Sequence, residues 1–413
     1  MRYQTFYITF VATLLIAAAC DREPQSVAAP SDFQKQLQTQ LITAKPGDVI
    51  TIPAGVHAIN RGLSLNVSGV TIRGEGMDKS ILSFRHQVQG AEGLLVNASD
   101  FTIEDLAIED AAGDGLKVNE GRNIIIRRVR AEWTNGPDEE NGAYGIYPVQ
   151  ADNVLVEDNV AIGASDAGIY VGQSRNVVVR NNRAERNVAG IEIENTFHAD
   201  VYGNVTTGNT GGILVFNMPD LPQPGHSTRV FRNTVTGNNT GNFGAEGTPV
   251  ASVPAGSGIV INSNDKVEIF DNDIADNDTA NIIVSSYYAT GWEGIRDMGD
   301  EYDPYPETIY IYGNRLSGGG SSPDGLDLKA LKVALFGLNG SLPDVLWDGF
   351  YNADKVDAEG SLLPDYAICV DNGDAQVLNA DLPNDSADIV VGARQHDCRH
   401  EKLPAVVLEA PLG

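Results

Sequence analysis

The 413-residue sequence predicts an all-β fold, a right-handed parallel β-helix built from three-strand coils of about 22 residues, with an N-terminal helical cap and an irregular C-terminal cap. Three observations predict it. Glycine-opened triplets of apolar, any, apolar residues recur at constant spacing, and asparagines recur at two fixed distances after those glycines. Helix formers run together only near residues 32–44 and 326–337.

The chain begins with an export signal: Arg2 precedes an apolar stretch from Ile8 to Ala19, too short to span a bilayer comfortably. It ends in Leu15-Ile16-Ala17-Ala18-Ala19-Cys20, which resembles a bacterial lipobox. Residues 1–19 are therefore expected to be a lipoprotein signal peptide, and Cys20 the lipidated residue, with cleavage without lipid as the alternative. Asp21 resembles the signal that retains lipoproteins at the inner membrane, so the expected location is the periplasmic face of that membrane in a Gram-negative cell. Residues 20–30 form a linker.

Phe33 to Ala44 spaces Phe33, Leu37 and Leu41 on one helical face, as a cap over the first coil requires. The β-helix, with this cap, is expected over residues 31–316. Its coils open at Gly93, Gly115, Gly145, Gly168, Gly190, Gly212 and Gly258, with Asn281 replacing an eighth glycine. Uninterrupted coils are 22 or 23 residues apart. Asn159, Asn182, Asn204 and Asn272 lie 14 residues after their opening glycine, with Asn233 and Asn314 in the same place after insertions. Five residues later come Asn187, Asn209, Asn238 and Asn277. Asparagine tolerates left-handed backbone and can stack its amide at ~4.8 Å along a solenoid, so these positions read as structural ladders. A single coil cannot bury its apolar face; stacking makes the core. Residues 317–413 lose the repeat and read as the C-terminal cap, where Cys369 and Cys398 are expected to form a disulfide in an oxidising compartment.

Composition narrows the partners. With 28 basic and 56 acidic residues the net charge is -28, which excludes a phosphate-tracking groove. The one short basic run, Arg127-Arg128-Val129-Arg130, has Glu120 and Glu132 nearby. No nucleic acid is expected; a glycan or an exported protein is.

Long insertions at residues 131–143, 217–227, 239–257 and 285–307 all border the first strand of the coil and are expected to wall a groove there. Alternation places Lys117, Tyr147, Tyr170, Glu192, Leu214 and Val260 in one outward row, and Asn119, Val149, Gly172, Glu194, Phe216 and Asn262 in a second. The expected binding surface is Lys117, Tyr147, Tyr170, Glu192, Glu194 and Phe216 on the floor, with Tyr287, Tyr288 and Trp292 from a loop. Glu192 and Glu194 are ~7 Å apart between Cα atoms, which suits an acid and base pair for inverting hydrolysis, yet any exposed strand can place two acids so. Lys117 as a lyase-type base lies three coils from Glu192. His198 and His226 flank the sheet without being placed together by the sequence.

No metal or cofactor is expected. Asp271-Asn272-Asp273 and Asp276-Asn277-Asp278 are ligand-rich, with Ca²⁺ as the alternative, but they coincide with the ladders and lack a calcium-loop pattern. There is no HExxH, no CxxCH and no paired CxxC.

The stretches GIYVGQSRNVVVRNN (168–182), GIEIENT (190–196), GGILVFNMPDLPQPGHSTRVFRN (211–233) and VASVPAGSGI (250–259), followed by DEYDPYP (300–306) and IYIYGN (309–314), closely resemble an uncharacterised family of bacterial parallel β-helix lipoproteins. The resemblance implies an exported or lipid-anchored protein without an established activity, often encoded beside a c-type cytochrome-like protein. A docking role for such a redox partner is thus a further expectation. More distantly, the coils resemble those of carbohydrate-binding proteins, sugar hydrolases and a periplasmic accessory protein for copper-enzyme maturation. Neither the paired Asp motifs of polygalacturonases nor the DPHD motif of mannuronan epimerases is present. The choice between a glycan-binding protein and a carbohydrate-active hydrolase, lyase or epimerase therefore passes to the geometry of the strip.

Overall fold

A computed structural model describes residues 31–291, 297–299, 301–358 and 361–409; Cys20 and Trp292 lie outside them. The helix α1 spans Asp32–Thr43, capped by the Ser31 side chain, which accepts from the Gln34 backbone N–H. It buries Leu37 and Leu41 against the first coil.

Parallel strands then stack into two ladders. The first sheet takes one strand from each coil, running through Tyr144–Val149, Ala167–Gly172, Ala189–Glu194, Gly211–Phe216, Ser257–Asn262 and Ala280–Ser285. The second sheet takes two strands per coil, such as Arg175–Arg180 and Arg183–Glu185. Register pairs Ile146 with Ile169, Ile169 with Ile191, Ile191 with Ile213 and Ile213 with Ile259, so the inward side chains form the continuous buried stack that alternation requires.

The asparagine ladders hold the coils in phase, but the reason differs from the one expected. In the longer ladder the left-handed residue is the one before each asparagine: Asp158, Asn181, Gly203, Arg232, Asp271 and Gly313 all have φ between 53° and 65°. The asparagine is needed for its amide. Asn182 Nδ2 donates to Asn204 Oδ1 at 3.0 Å and to the Val156 carbonyl at 3.0 Å, while the Asn182 backbone N–H reaches the same Asn204 Oδ1 at 2.9 Å. The pattern continues through Asn233, Asn272 and Asn314. Asp271–Asp273 and Asp276–Asp278 thus carry ladder amides, and Asp273 pairs with Arg315.

The solenoid does not stop at residue 316, which corrects the expected boundary. Val345–Trp347 and Val377–Asn379 add strands to the first sheet, Ile368–Asp371 adds one to the second, and Asn372 extends the ladder by accepting from Asn314 at 3.1 Å. Only then does an antiparallel strand, Val390–Gly392, close the first sheet. The Cys369–Cys398 disulfide is present, with an S–S length of 2.07 Å. Beyond it the tail runs back along the solenoid axis: backbone N–H groups of Leu403, Val406 and Glu409 donate to Glu268, Asp200 and Asn153. Three extended residues cover ~10 Å, two strand spacings, so the strap keeps step with the coils.

The basic run is consumed in ion pairs. Arg127 and Arg128 both reach the buried Glu104, Arg128 also reaches Asp105, and Arg130 reaches Glu109 and Glu132.

Asn204→Leu should orphan the buried Asn182 N–H and its amide, lowering stability by about 2–4 kcal/mol. Denaturant unfolding followed by circular dichroism checks this; an unchanged midpoint would remove the ladder from the phase-setting role.

Candidate functional site

The outward rows of the first sheet have the expected composition. Tyr147 lies beside Lys117, Tyr170 beside Glu192, and Glu192 beside Leu214, with Val149, Gly172, Glu194 and Phe216 in the second row. What differs is the cover. At Leu214 and Phe216 the strip is sealed by the loops: Val250 and Val253 and then Met218 and Tyr287 pack with them into a second apolar cluster. Tyr287 is fully buried, and Tyr302 ties its loop to the neighbouring one by donating to the Asn217 carbonyl at 2.7 Å. Phe216 and Tyr287 are thus packing residues of the cover, a correction to the open platform expected of them. Tyr288 is half-buried against Tyr305 and Phe350. The accessible end of the strip is around Lys117 and Tyr147, where the Lys117 ammonium lies 4.7 Å from the Tyr147 ring centroid and 3.9 Å from Asp114.

Between the open end and the sealed end lies a cluster of carboxyl groups. Glu192 and Glu194 project from Ala189–Glu194 but do not act on each other as a simple pair. Glu194 accepts a 2.5 Å hydrogen bond from the Tyr170 hydroxyl and another from Gln173 Nε2 at 3.2 Å. Gly172 makes the first of these geometrically allowed: a Cβ there would sit 2.3 Å from the Tyr170 ring, so the bare backbone is the bed on which the ring lies.

Glu192 instead interacts with Asp166, which also interacts with the Tyr144 phenol. Two adjoining buried carboxyls favour a proton on one of them. Asp166 Oδ1 and Glu192 Oε2 are buried without a hydrogen-bond partner, which makes the charged form of either carboxyl costly. Burial is the main cause that pushes Asp166 up to about 8, helped by the charge of Glu194. Burial and then the Asp166 charge hold Glu192 well above the carboxylate range. Asp114, nearer the open end, is pushed up to about 6 by burial against the opposing pull of Lys117.

Three tyrosines wall the cluster. The centroids of Tyr144 and Tyr147 are 4.5 Å apart, as are those of Tyr144 and Tyr170, and Tyr147 meets Tyr170 edge-on at 4.9 Å. Burial raises the Tyr144 and Tyr170 phenols far above their ordinary value, so both remain donors.

Asp166, Tyr144 and Asp114 are the site residues that the sequence reading passes over. A signal exists for Tyr144: its register partners in later coils are the small Ala167, Ala189 and Gly211, so a ring there stands out. Asp166 precedes its strand, where alternation no longer tells direction. The histidines do meet, His198 and His226 having centroids 5.9 Å apart, but on the second sheet, where burial lowers the His226 pKa. Among the described residues, one group with metal-ligand spacing stands outside this strip, Asp265 with Asp303 and Glu307, and Lys355 bonds the last two.

Coils, register and an acidic, tyrosine-walled strip define a right-handed parallel β-helix protein. Residues 54–220 match the family model described as "Right handed beta helix region". No curated protein matches the chain in sequence. In structure it is similar to the A-module of the mannuronan C-5 epimerase AlgE4 of Azotobacter vinelandii, with a TM-score of 0.55 and 18% identity over 84% of this chain and 92% of that one. The A-module of the epimerase AlgE6 from the same organism gives 0.49 and 16%, over 78% and 87%. At such identities the likeness is one of fold.

The raised carboxyl pKa values carry a pH dependence. Between the ordinary carboxyl value near 4 and about 8, the folded chain binds more protons at Asp166 and Glu192 than the unfolded chain does, so their contribution to stability is present in acid and lost as pH rises through that window. Glu192→Gln should therefore raise the thermal midpoint relative to the unaltered chain more at pH ~8.5 than at pH ~5. Equal shifts at both pH values would show that the pair holds no proton.

Proposed function

We propose that this is an exported, lipid-anchored protein acting on a carbohydrate, with Glu192 as the proton donor. The observation that carries the reading is the Asp166–Glu192 pair, two buried carboxyls with unpartnered oxygens beneath a tyrosine wall, an arrangement that favours the protonated form. An acid that remains protonated at working pH is what cleavage of a glycosidic bond requires of its donor. Glu194, oriented by Tyr170 and Gln173, is the acceptor on the same strand face, at the ~7 Å Cα spacing compatible with inversion. The saccharide enters over Lys117, Asn119 and Tyr147, whose ring offers a stacking face to the apolar side of a sugar. The similarity of fold to an epimerase that acts on mannuronan is consistent with this class of substrate.

One observation favours a second reading, glycan binding without turnover: Glu192 is only 1% and Tyr170 4% exposed. In that reading the carboxyl cluster stiffens the wall, and binding rests on Tyr147 and Lys117.

Incubation with a panel of neutral and uronic polysaccharides, assayed for new reducing ends and unsaturated products, separates the two. Turnover that Glu192→Gln lowers by about 100-fold or more supports the acid role. Binding on a glycan array that Tyr147→Ala weakens, without product from any member, supports the second reading; silence in both assays sinks the carbohydrate proposal.

Export and anchoring are supported by the leader motif ending at Cys20 and by the disulfide, a bond of oxidising compartments. Cells expressing the full chain should incorporate labelled fatty acid into the protein and retain it in the membrane fraction. Cys20→Ser should abolish the label and release the protein, whereas label retained in that variant would place the lipid elsewhere.

A further inference from the structure

Beyond the sealed section of the strip the outward row turns wholly apolar. Val260, Ile283, Leu346 and Leu378 follow one another in register, and over them lies a cavity of about 550 Å³. Its roof is the helix α2, Leu326–Phe336, which turns Leu328, Leu331 and Ala334 toward it. The described lining contains no Lys, Arg or His. Of its two acids, Asp348 is already satisfied: Oδ2 accepts from the Ser286 backbone and hydroxyl at 2.6 and 2.7 Å, and Oδ1 from the Phe350 N–H at 3.1 Å. The other, Asp327, belongs to the first turn of α2.

We infer that this cavity is a binding site for a single aliphatic or prenyl chain, with α2 as its lid. Four features lead to that class. The volume falls within the ~300–1,000 Å³ of small-molecule sites and is far too small for a folded partner. The walls are mainly apolar and partly open to solvent, and a chain lying along them would remove that surface from water. Polar groups such as Asn262, Ser285 and Thr290 are a minority of the lining, fewer than a saccharide or a peptide would need, and the missing cation removes any specific grip on an anionic head group. Finally, α2 has no buried residue and is bounded at both ends by glycines in left-handed backbone, Gly325 at φ 79° and Gly337 at φ 77°. Lifting it uncovers the half-buried Leu331 and Phe336, which pack against the Leu342, Leu346 and Leu378 cluster, and opens a way in for the chain. The inference does not rest on the carbohydrate reading, since the cavity floor begins past Leu214, on the far side of the apolar plug from Glu192.

The test uses the full-length purified chain and cis-parinaric acid, whose fluorescence rises in an apolar site. Saturable binding of one molecule per chain is expected, with displacement by palmitate or by geranylgeraniol telling an acyl from a prenyl preference. Ile283→Trp should fill the cavity from its floor and Leu331→Asp should charge its roof, each weakening the probe at least tenfold. Leu331 packs against the Ala280, Leu342, Leu346 and Leu378 cluster, so Ala334→Asp, at an exposed position of the same roof, keeps the test valid if either variant fails to fold. Binding that does not saturate, absence of binding, or an affinity unchanged in Leu331→Asp would overturn the assignment.

Discussion

The structure depends on one repeated interaction, the side-chain amide of an asparagine bonded to the next asparagine and to two backbones inside the coil. The side-chain oxygens of Asn182, Asn204, Asn233, Asn272 and Asn314 each accept from the backbone N–H of the preceding ladder asparagine where the chain turns. A left-handed residue immediately before the amide bends the chain into place. Because an unpaired N–H there would be costly, every coil must return to the same point after the same path. That constraint fixes the register of both sheets, and the register decides which side chains stack inward as isoleucine and valine and which face outward.

Everything functional is a consequence of that outward row and of what the insertions do to it. Glycine 172 shows the coupling at one residue. It occupies an outward position, contributes no side chain, and thereby lets the Tyr170 ring cross to Glu194. One coil earlier a tyrosine stands where the next coils have alanine and glycine, and it brings a phenol to Asp166. The result is a set of carboxyls whose pKa values are raised by burial and by their mutual repulsion, the usual physical route to an acid that survives at neutral pH. Further along, the same row becomes apolar, so one strip presents a polar reactive-type section and a greasy cavity, divided by the plug of Leu214, Val253 and Met218.

Much of this is legible in the amino-acid order because the coil is a short-range object. The glycine spacing, the inward pairs such as Ile191 and Ile193, the outward neighbours Tyr170 and Glu192, and both asparagine ladders all follow from a period read along the chain. The same logic also covers Ile368-Cys-Val-Asp-Asn372, which parallels Ile309-Tyr-Ile-Tyr-Gly-Asn314. There the segment of about 50 residues between Ser317 and Ile368 hides the period, and the last coils pass for an irregular cap.

Periodicity along the chain is enough for the coil, its phase and the identity of the outward row, since alternation and turn chemistry are local and repeat. Long-range packing is what brings Asp166 beside Glu192, gives Glu194 to Tyr170, and covers Phe216 and Tyr287 while Lys117 and Tyr147 stay reachable. Those outcomes depend on where loops from different coils come to rest and on residues just outside the strands. Neither obeys a period, and the burial that raises a carboxyl pKa is a property of all the neighbours at once.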